Sequence, residues 1–371
     1  MKVAIIGMGY VGRPLFDLFK AKGVNVVGYD TNPQRTTCDV DALPETDVFI
    51  ICVPTPLTKH LSPDLRSVND AARLVSKYAR HGDLVVLEST TYPGTTREHI
   101  VPQMISGVLV AYSPERIDPG SSYPLADIPK VVGGYSTAAL LKATEVYAQI
   151  FTRVHQVDSL EAAEATKILE NVFRCVNIAM VNELKMIFDA MKIDIWEVIE
   201  AAKTKPYGFM PFYPGPGLGG HCIPVDPYYL SWAARGAGMP TRFIELAGEI
   251  NRAMPGWVAH RVLRQLGFQG RAAGDASVLL LGLAYKPGIP DDRESPTYAV
   301  HDELQKAGVR VSICDPFFAG YQERLDQIDI YDAVVMLTAH PQFDLEYIAQ
   351  KARVIIDTRG VFKPGPKVVQ A

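Results

Sequence analysis

The chain has 371 residues, too many for one ordinary hydrophobic core and enough for two or three domains. Apolar residues make up 48% and charged residues 21%, which argues against extended disorder. With 37 Lys and Arg against 41 Asp and Glu, the net charge of −4 lacks the cationic excess that nucleic-acid binding needs for counterion release. No apolar run is long enough to span a bilayer. The glycines in Met1–Val11, without a small-residue cleavage site, argue against a secretory leader. Five scattered cysteines with no CxxC pair predict reduced thiols in a cytoplasmic protein and no zinc site.

In chain order, short β-branched runs recur at Val3–Ile6, Val24–Gly28, Val48–Val53, Leu84–Leu87 and Val108–Ala111, with helical patterns such as Arg13–Lys22 and Val68–Arg80 between some of them. This alternation predicts buried parallel strands in a doubly wound α/β sheet. Gly7-Met8-Gly9-Tyr10-Val11-Gly12 follows the first strand and opens a helix. Gly7 permits the tight turn, Gly9 lets backbone amides approach a pyrophosphate, and Gly12 lets helix and sheet pack closely. The free N–H groups of that helix start favour an anion. Asp30 ends the second strand 18 residues after Gly12. A carboxylate there accepts from an adenosine ribose and repels a 2′-phosphate, favouring NAD over NADP. Arg35 is the countersign, as a guanidinium able to hold that phosphate. The structural alternative is an Asp30 that only caps a turn.

Leu160–Met191 reads as one unbroken helix, with Ile168, Val172, Val176, Ala179, Ile187 and Met191 along its stripe. At roughly 45 Å it suits a spine or a dimer interface. Lys167 and Asn171, four residues apart, share one face, with Glu164 a turn earlier. They form either an ordinary solvated ion-pair face or donors aimed at an oxyanion. A Pro/Gly-rich loop follows at Lys205–Gly220, and a second helical stretch at Thr241–Leu266. The α/β rhythm then returns at Val278–Leu281, Val309–Ile313, Ala333–Leu337 and Val354–Asp357, without the glycine fingerprint. The expected domains are 1–156, 157–269 and 270–371.

Phe212–Pro227 contains the unusual run Gly219-Gly220-His221-Cys222-Ile223-Pro224-Val225-Asp226. A thiol beside a permissive glycine loop can serve as a nucleophile, and Asp226 lies close enough to orient a base or a water. Cys38, Cys52, Cys175 and Cys314 read instead as small buried hydrophobes. His221 adjoins Cys222 and so does not face it; it reads as a structural or substrate contact. No His/Cys cluster supports a metal.

Gly7–Gly12, Val53–Pro56, Glu88–Thr96, Tyr112–Arg116, Thr166–Asn171, Gly219–Pro227, Tyr285–Pro287 and Arg293–Pro296 together resemble the UDP-glucose/GDP-mannose dehydrogenases, in the family's order and over nearly the whole chain. Phe212–Gly220 and Tyr112–Gly120 are most similar to the UDP-N-acetylglucosamine 6-dehydrogenases. The resemblance implies two Rossmann-like doubly wound domains joined by a central helical dimerisation core, forming a homodimer through the long helix. It implies NAD-dependent, four-electron oxidation of a UDP-sugar C6 alcohol to the acid, by way of a Cys222 thiohemiacetal and thioester. Lys167 and Asn171 would stabilise the oxyanion, Asp226 would assist the water or proton transfers, and Thr90 and Glu115 would hold the water and relay protons. Gly7, Gly9, Tyr10, Val11, Gly12, Asp30, Arg35, Thr55, Thr90 and Arg293 would surround NAD. Glu115, Arg116, Ile117, Lys167, Asn171, Tyr213, Gly219 and Lys286 would meet the UDP-sugar.

The chain departs from the family pattern between Asp30 and Asp47, where Thr31–Thr46 is too short for a full crossover helix and strand. A trimmed sheet edge beside the adenine site is expected, and the segment after Asp315 also looks shortened. The alternatives are a UDP-N-acetylmannosamine or UDP-glucose 6-dehydrogenase, or a non-catalytic nucleotide-sugar-binding protein.

Overall fold

The computed structural model describes residues 1–58, 62–117, 120–121, 123–220, 223–321 and 325–371. His221 and Cys222, the centre of the expected nucleophile loop, lie outside the described residues.

The first sheet contains β1 (Lys2–Ile6), β2 (Asn25–Tyr29), β3 (Val48–Ile51), β4 (Leu84–Leu87), β5 (Leu109–Tyr112), β6 (Lys130–Gly134) and β7 (Val154–Val157), in the spatial order β2-β1-β3-β4-β5-β6-β7. Every neighbouring pair is parallel except β5 and β6. Both β3 and β4 are buried at every residue, as unalternating apolar runs require when a sheet is covered on two faces. Helices α1 (Gly12–Ala21), α2 (Arg66–Val75) and α3 (Thr137–Ala148) belong to the same part of the chain. Phe16 and Phe19 of α1 and Val146 and Tyr147 of α3 share a core cluster with Val3, Ile5, Val48, Ile50 and Val86.

The next elements are helical: α4 (Leu160–Met191), α5 (Ile195–Lys203), α6 (Asp226–Gly236) and α7 (Arg242–Phe268). The second sheet contains β8 (Ser277–Leu281), β9 (Arg310–Cys314), β10 (Ala333–Met336), β11 (Ile355–Asp357) and β12 (Val368–Gln370). It is wholly parallel, in the order β12-β11-β10-β8-β9, and is accompanied by α8 (Pro296–Lys306) and α9 (Leu345–Lys351). Val258, Val262 and Leu266 of α7 and Val300 and Leu304 of α8 bury against Val278, Leu280 and Val335. The chain forms two compact units, residues 1–171 with 225–241, and residues 172–224 with 242–371.

The shortened segment after Asp30 holds only hydrogen-bonded turns, among them the single 3-10 turn Val40–Ala42, and leaves β2 at the sheet edge. Gly28 is nevertheless paired. Its N–H donates to the Thr37 hydroxyl at 2.8 Å, and its carbonyl accepts from the Thr37 amide at 2.7 Å. Threonines thus cover the edge at the point where a strand is missing. Beyond β9, the described part of the shortened segment carries turns alone, among them the 3-10 turn Ile328–Ile330.

The two sheets repeat one device. Gly7 after β1 and Gly282 after β8 both have φ of +97°. Each donates its N–H at 2.8 Å to the last strand residue before an acid, Tyr29 before Asp30 and Cys314 before Asp315. A Cβ on either glycine would come within 2.6 Å of a backbone carbonyl oxygen, that of Cys52 or of Thr338. The second sheet therefore keeps the turn-forming glycine although it lacks the other two.

Candidate active site

In the first unit the glycine turn is fixed by steric necessity. A Cβ on Gly12 would lie 1.8 Å from the Gly7 carbonyl oxygen, whereas one on Gly9 would meet nothing within 4 Å. The turn therefore packs at Gly12 and is open at Gly9. Val11 provides no side-chain cap for α1; the Arg13 amide donates to the Gly9 carbonyl at 3.0 Å and Pro14 has no N–H, so an anion would be met by the Gly12 amide at the helix start. Asp30 accepts from the Met8 amide at 2.7 Å and the Asn32 amide at 2.8 Å. It does cap the turn, but a carboxylate offers about four acceptor positions, so lone pairs remain for a ribose. Tyr10 and Arg35 are exposed beside it. These features fit a dinucleotide.

Lys167 and Asn171 project from the N-terminal half of α4 and are 8% exposed, while Asp226, the first residue of α6, is 2% exposed. The face they share is thus buried rather than solvated. Asn171 donates its side-chain N–H to Asp226 Oδ2 at 2.5 Å. Burial pushes the Asp226 carboxyl up to about 7, against the opposing pull of Lys167 and Asn171. A carboxyl held there can give or take a proton near neutrality. Glu164 has a separate task. It accepts from the amides of Gly94 at 2.5 Å and Thr96 at 2.8 Å and from the Thr96 hydroxyl at 2.7 Å, and burial pushes it, too, up to about 7.

Thr55 donates its hydroxyl to the Thr90 carbonyl at 2.8 Å, and Tyr229 of α6 donates to the Thr55 carbonyl, which ties α6 to the two strand-end loops. Glu115 accepts from the amides of Arg116 and Ile117, each at 2.7 Å. Its other oxygen lies 3.8 Å from the ammonium of buried Lys130. Lys130 in turn donates to Glu88 at 2.7 Å and to the Pro114 carbonyl at 3.1 Å, and Tyr147 donates to Glu88 at 2.5 Å. Sequence reasoning assigned no role to Lys130 or Tyr147; a lysine opening the apolar run Lys130–Val132 was the available signal. The Arg116 guanidinium is engaged by Glu170 at 2.6 Å and the Pro129 carbonyl at 2.6 Å. With Arg153, His155 and Thr166 it lines a cleft of about 630 Å³.

In the second unit, Tyr213 donates to Glu200 at 2.6 Å and stacks on Trp196, with ring centroids 6.0 Å apart. Both rings, with Arg359 and Gly360, line a pocket of about 250 Å³. Trp196 and Arg359 are site candidates that the sequence alone did not single out. Gly219 is compelled by a close approach, since a Cβ there would lie 2.4 Å from that of Tyr285. The Gly220 amide donates to the Arg293 carbonyl at 2.9 Å, and the Arg293 guanidinium pairs with Asp291 at 2.6 Å. Lys286 is half-buried on the loop after β8. Among the described residues no His/Cys/Asp/Glu group could hold a metal, and no helix is long and apolar enough to cross a membrane.

Three descriptions of the UDP-glucose/GDP-mannose dehydrogenase family match in chain order: the NAD binding domain over residues 34–151, the central domain over 161–253 and the UDP binding domain over 279–364. The chain belongs to this family. It is 35% identical to the UDP-N-acetyl-D-glucosamine 6-dehydrogenases of Salmonella typhi and Pseudomonas aeruginosa, each over 92% of this chain and 91% of theirs. The solved UDP-D-ManNAc dehydrogenase of Pyrococcus horikoshii superposes with a TM-score of 0.91 at 31% identity, over 100% of this chain and 98% of that one. As a member of the UDP-glucose/GDP-mannose dehydrogenase family, the chain is an NAD-dependent nucleotide-sugar dehydrogenase with a UDP binding domain. The matched NAD binding segment starts at residue 34, beyond the glycine turn, so the turn's assignment to the cofactor rests on its own geometry.

Proposed function

We propose that the chain oxidises the C6 alcohol of UDP-N-acetylglucosamine to the carboxylate. Two NAD molecules, bound in turn, would supply the oxidising equivalents by accepting one hydride each. Asp226 takes the alcohol proton, directly or through a water held with Thr90 and Glu115, as the C6 carbonyl forms. The Cys222 thiolate adds to that carbonyl, giving a thiohemiacetal whose oxyanion Lys167 and Asn171 stabilise. Loss of the second hydride leaves a Cys222 thioester. Water activated by Asp226 then releases the acid and regenerates the thiol. The observation that carries this reading is the buried convergence of Lys167, Asn171 and Asp226, a cation, an amide donor and a carboxyl held near neutrality.

Tyr213, Gly219 and Lys286 hold the UDP part in this reading, with Arg359 added from the pocket it shares with Tyr213. The working division is 1–156 for NAD, 157–269 for dimerisation and catalysis, and 270–371 for UDP. The protein acts as a cytoplasmic homodimer. Exposed Phe173, Met180, Ile187 and Met191 support the dimer, because they follow a helical stripe along α4.

A second reading, UDP-N-acetylmannosamine as substrate, is favoured by the match to the P. horikoshii structure. The test is NADH formed per sugar, with sugar limiting and the product identified by mass, on UDP-N-acetylglucosamine, UDP-N-acetylmannosamine and UDP-glucose. Two NADH and a uronate are expected from the first. One NADH with an aldehyde would overturn the Cys222 steps, and no turnover on any sugar would leave a nucleotide-sugar-binding protein.

A further inference from the structure

The loop after β8, Leu283–Gly288, carries Tyr285 and Lys286 and is tied down from beneath by a buried acid–imidazole pair. Asp315 Oδ2 accepts from the Leu283 amide at 2.6 Å, the Ala284 amide at 2.9 Å and His340 Nε2 at 2.9 Å. Its Oδ1 accepts from the Phe317 amide at 2.8 Å. The other imidazole nitrogen, Nδ1, accepts from the Gly288 amide at 3.1 Å. That bond fixes the tautomer, because Nδ1 must present a lone pair and Nε2 must therefore carry the proton it shares with Asp315. The pair is fully enclosed, and the Phe317 and Phe343 rings lie 5.0 and 5.6 Å from the imidazole. Thr338 adds a bond to the Ala284 carbonyl at 2.6 Å.

We propose that His340 is a positioning residue for the UDP-sugar. Joined to Asp315, it holds both ends of the Leu283–Gly288 loop and thereby sets where Lys286 stands and where Tyr285 buttresses the Gly219–Gly220 turn. Asp315 anchors the start of the loop and His340 its end. Between those anchors, Tyr285 faces the glycine segment alongside Glu294 and Pro296, and its own Cβ leaves no room for one at Gly219. The inference rests on the proposed substrate role of Lys286.

Two near-isosteric variants separate the bonds. Gln can place an amide N–H where Nε2 stands, keeping the bond to Asp315 and losing the acceptor for Gly288. Asn can place its carbonyl where Nδ1 stands, keeping that acceptor and losing the donor to Asp315. Binding of UDP alone would be measured by calorimetry, amide exchange across residues 283–288 by mass spectrometry, and kcat and KM for each substrate by steady-state kinetics. His340→Gln is expected to weaken UDP binding roughly 3- to 10-fold, the effect of one neutral hydrogen bond. It should raise the UDP-sugar KM similarly, accelerate Gly288 exchange, and leave kcat and the NAD KM within about twofold. His340→Asn, which keeps the acceptor for Gly288 and loses the bond to Asp315, should restore the Gly288 protection and recover part of the affinity. Equal behaviour of the two variants, or a lowered Tm with unchanged exchange and affinity, would overturn the proposal. If neither variant folds, exchange in the wild-type protein decides, because Leu283, Ala284 and Gly288 amides must open together if one pair holds them. Failure of the wild-type protein to bind UDP would sink the substrate reading, while Gly288 exchange would still report on the loop anchor.

Discussion

Replacing Asp226 with Asn tests the electrostatics of the site most directly. Asn has the shape of the protonated carboxyl and no charge, and its carbonyl can still accept from Asn171. The ordinary value is 3.8 and the folded value about 7. At about 1.36 kcal/mol per tenfold in the ionisation equilibrium, the folded protein disfavours the ionised form by roughly 4 kcal/mol. The sign follows from proton binding. The folded chain holds this proton more tightly than the unfolded chain, so its stabilising effect is complete below 3.8 and is lost as pH rises through about 7. Asp226→Asn behaves as the permanently protonated form and escapes that loss. Its stability advantage should therefore grow by roughly 3 kcal/mol between about pH 4.5 and about pH 8, or roughly 6–12 °C in Tm for a unit of this size. Thermal melts of both proteins across that range, with turnover measured in parallel, make the assay. Turnover should collapse in the variant, and the acidic limb of the wild-type kcat profile should lie near 7. A Tm difference that does not change with pH, or that favours the wild type as pH rises, would refute the reasoning.

Cys222→Ser should stop uronate formation while leaving slow alcohol–aldehyde exchange, read as the loss of the two-NADH stoichiometry; normal uronate yield would remove Cys222 from the scheme. Lys130→Met should destabilise the first unit by about 3–5 kcal/mol, because it strands buried Glu88 without its cation; an unchanged Tm would show the cluster to be dispensable. Ile187→Glu, which places a charge on the exposed apolar stripe of α4, should convert a homodimer to monomer in light scattering; a dimer of unchanged mass would move the interface elsewhere.

Most of the first sheet was legible because β1, β3 and β4 are apolar without alternation, and α4 because no proline or glycine interrupts its stripe. Strands that lack an unbroken apolar run were missed. Strand β6 opens with buried Lys130 and closes in glycines, and β7, Val154-His155-Gln156-Val157, is a half-polar edge strand. Helix α2 begins at Arg66 and ends at Val75, earlier at both ends than its apolar pattern suggested. Asp64 accepts from the Arg66 amide at 3.1 Å at its start. At the candidate site the residue types were readable but their partners were not. Spacing put Lys167 and Asn171 on one face, yet only the fold shows that Asp226, 55 residues later, meets Asn171, while Glu164 turns instead to the Gly94 and Thr96 amides. The resemblance supplied the functional order, and hydrogen bonds between distant segments supplied the physical cause.

The matched turns after β1 and β8 have a consequence for ligand sorting. One polypeptide carries two crevices of the same design, each with a left-handed glycine and an acid closing the next strand. The hydrogen-bond saturation of the acids distinguishes them. Asp30 has two backbone donors and keeps acceptor capacity toward a ribose, whereas Asp315 already has four donors, His340 among them. A dinucleotide diffusing over this chain meets one carboxylate with acceptor capacity to spare and one that is sated. Selectivity between two look-alike crevices is then set by which carboxylate the protein has already filled with its own N–H groups.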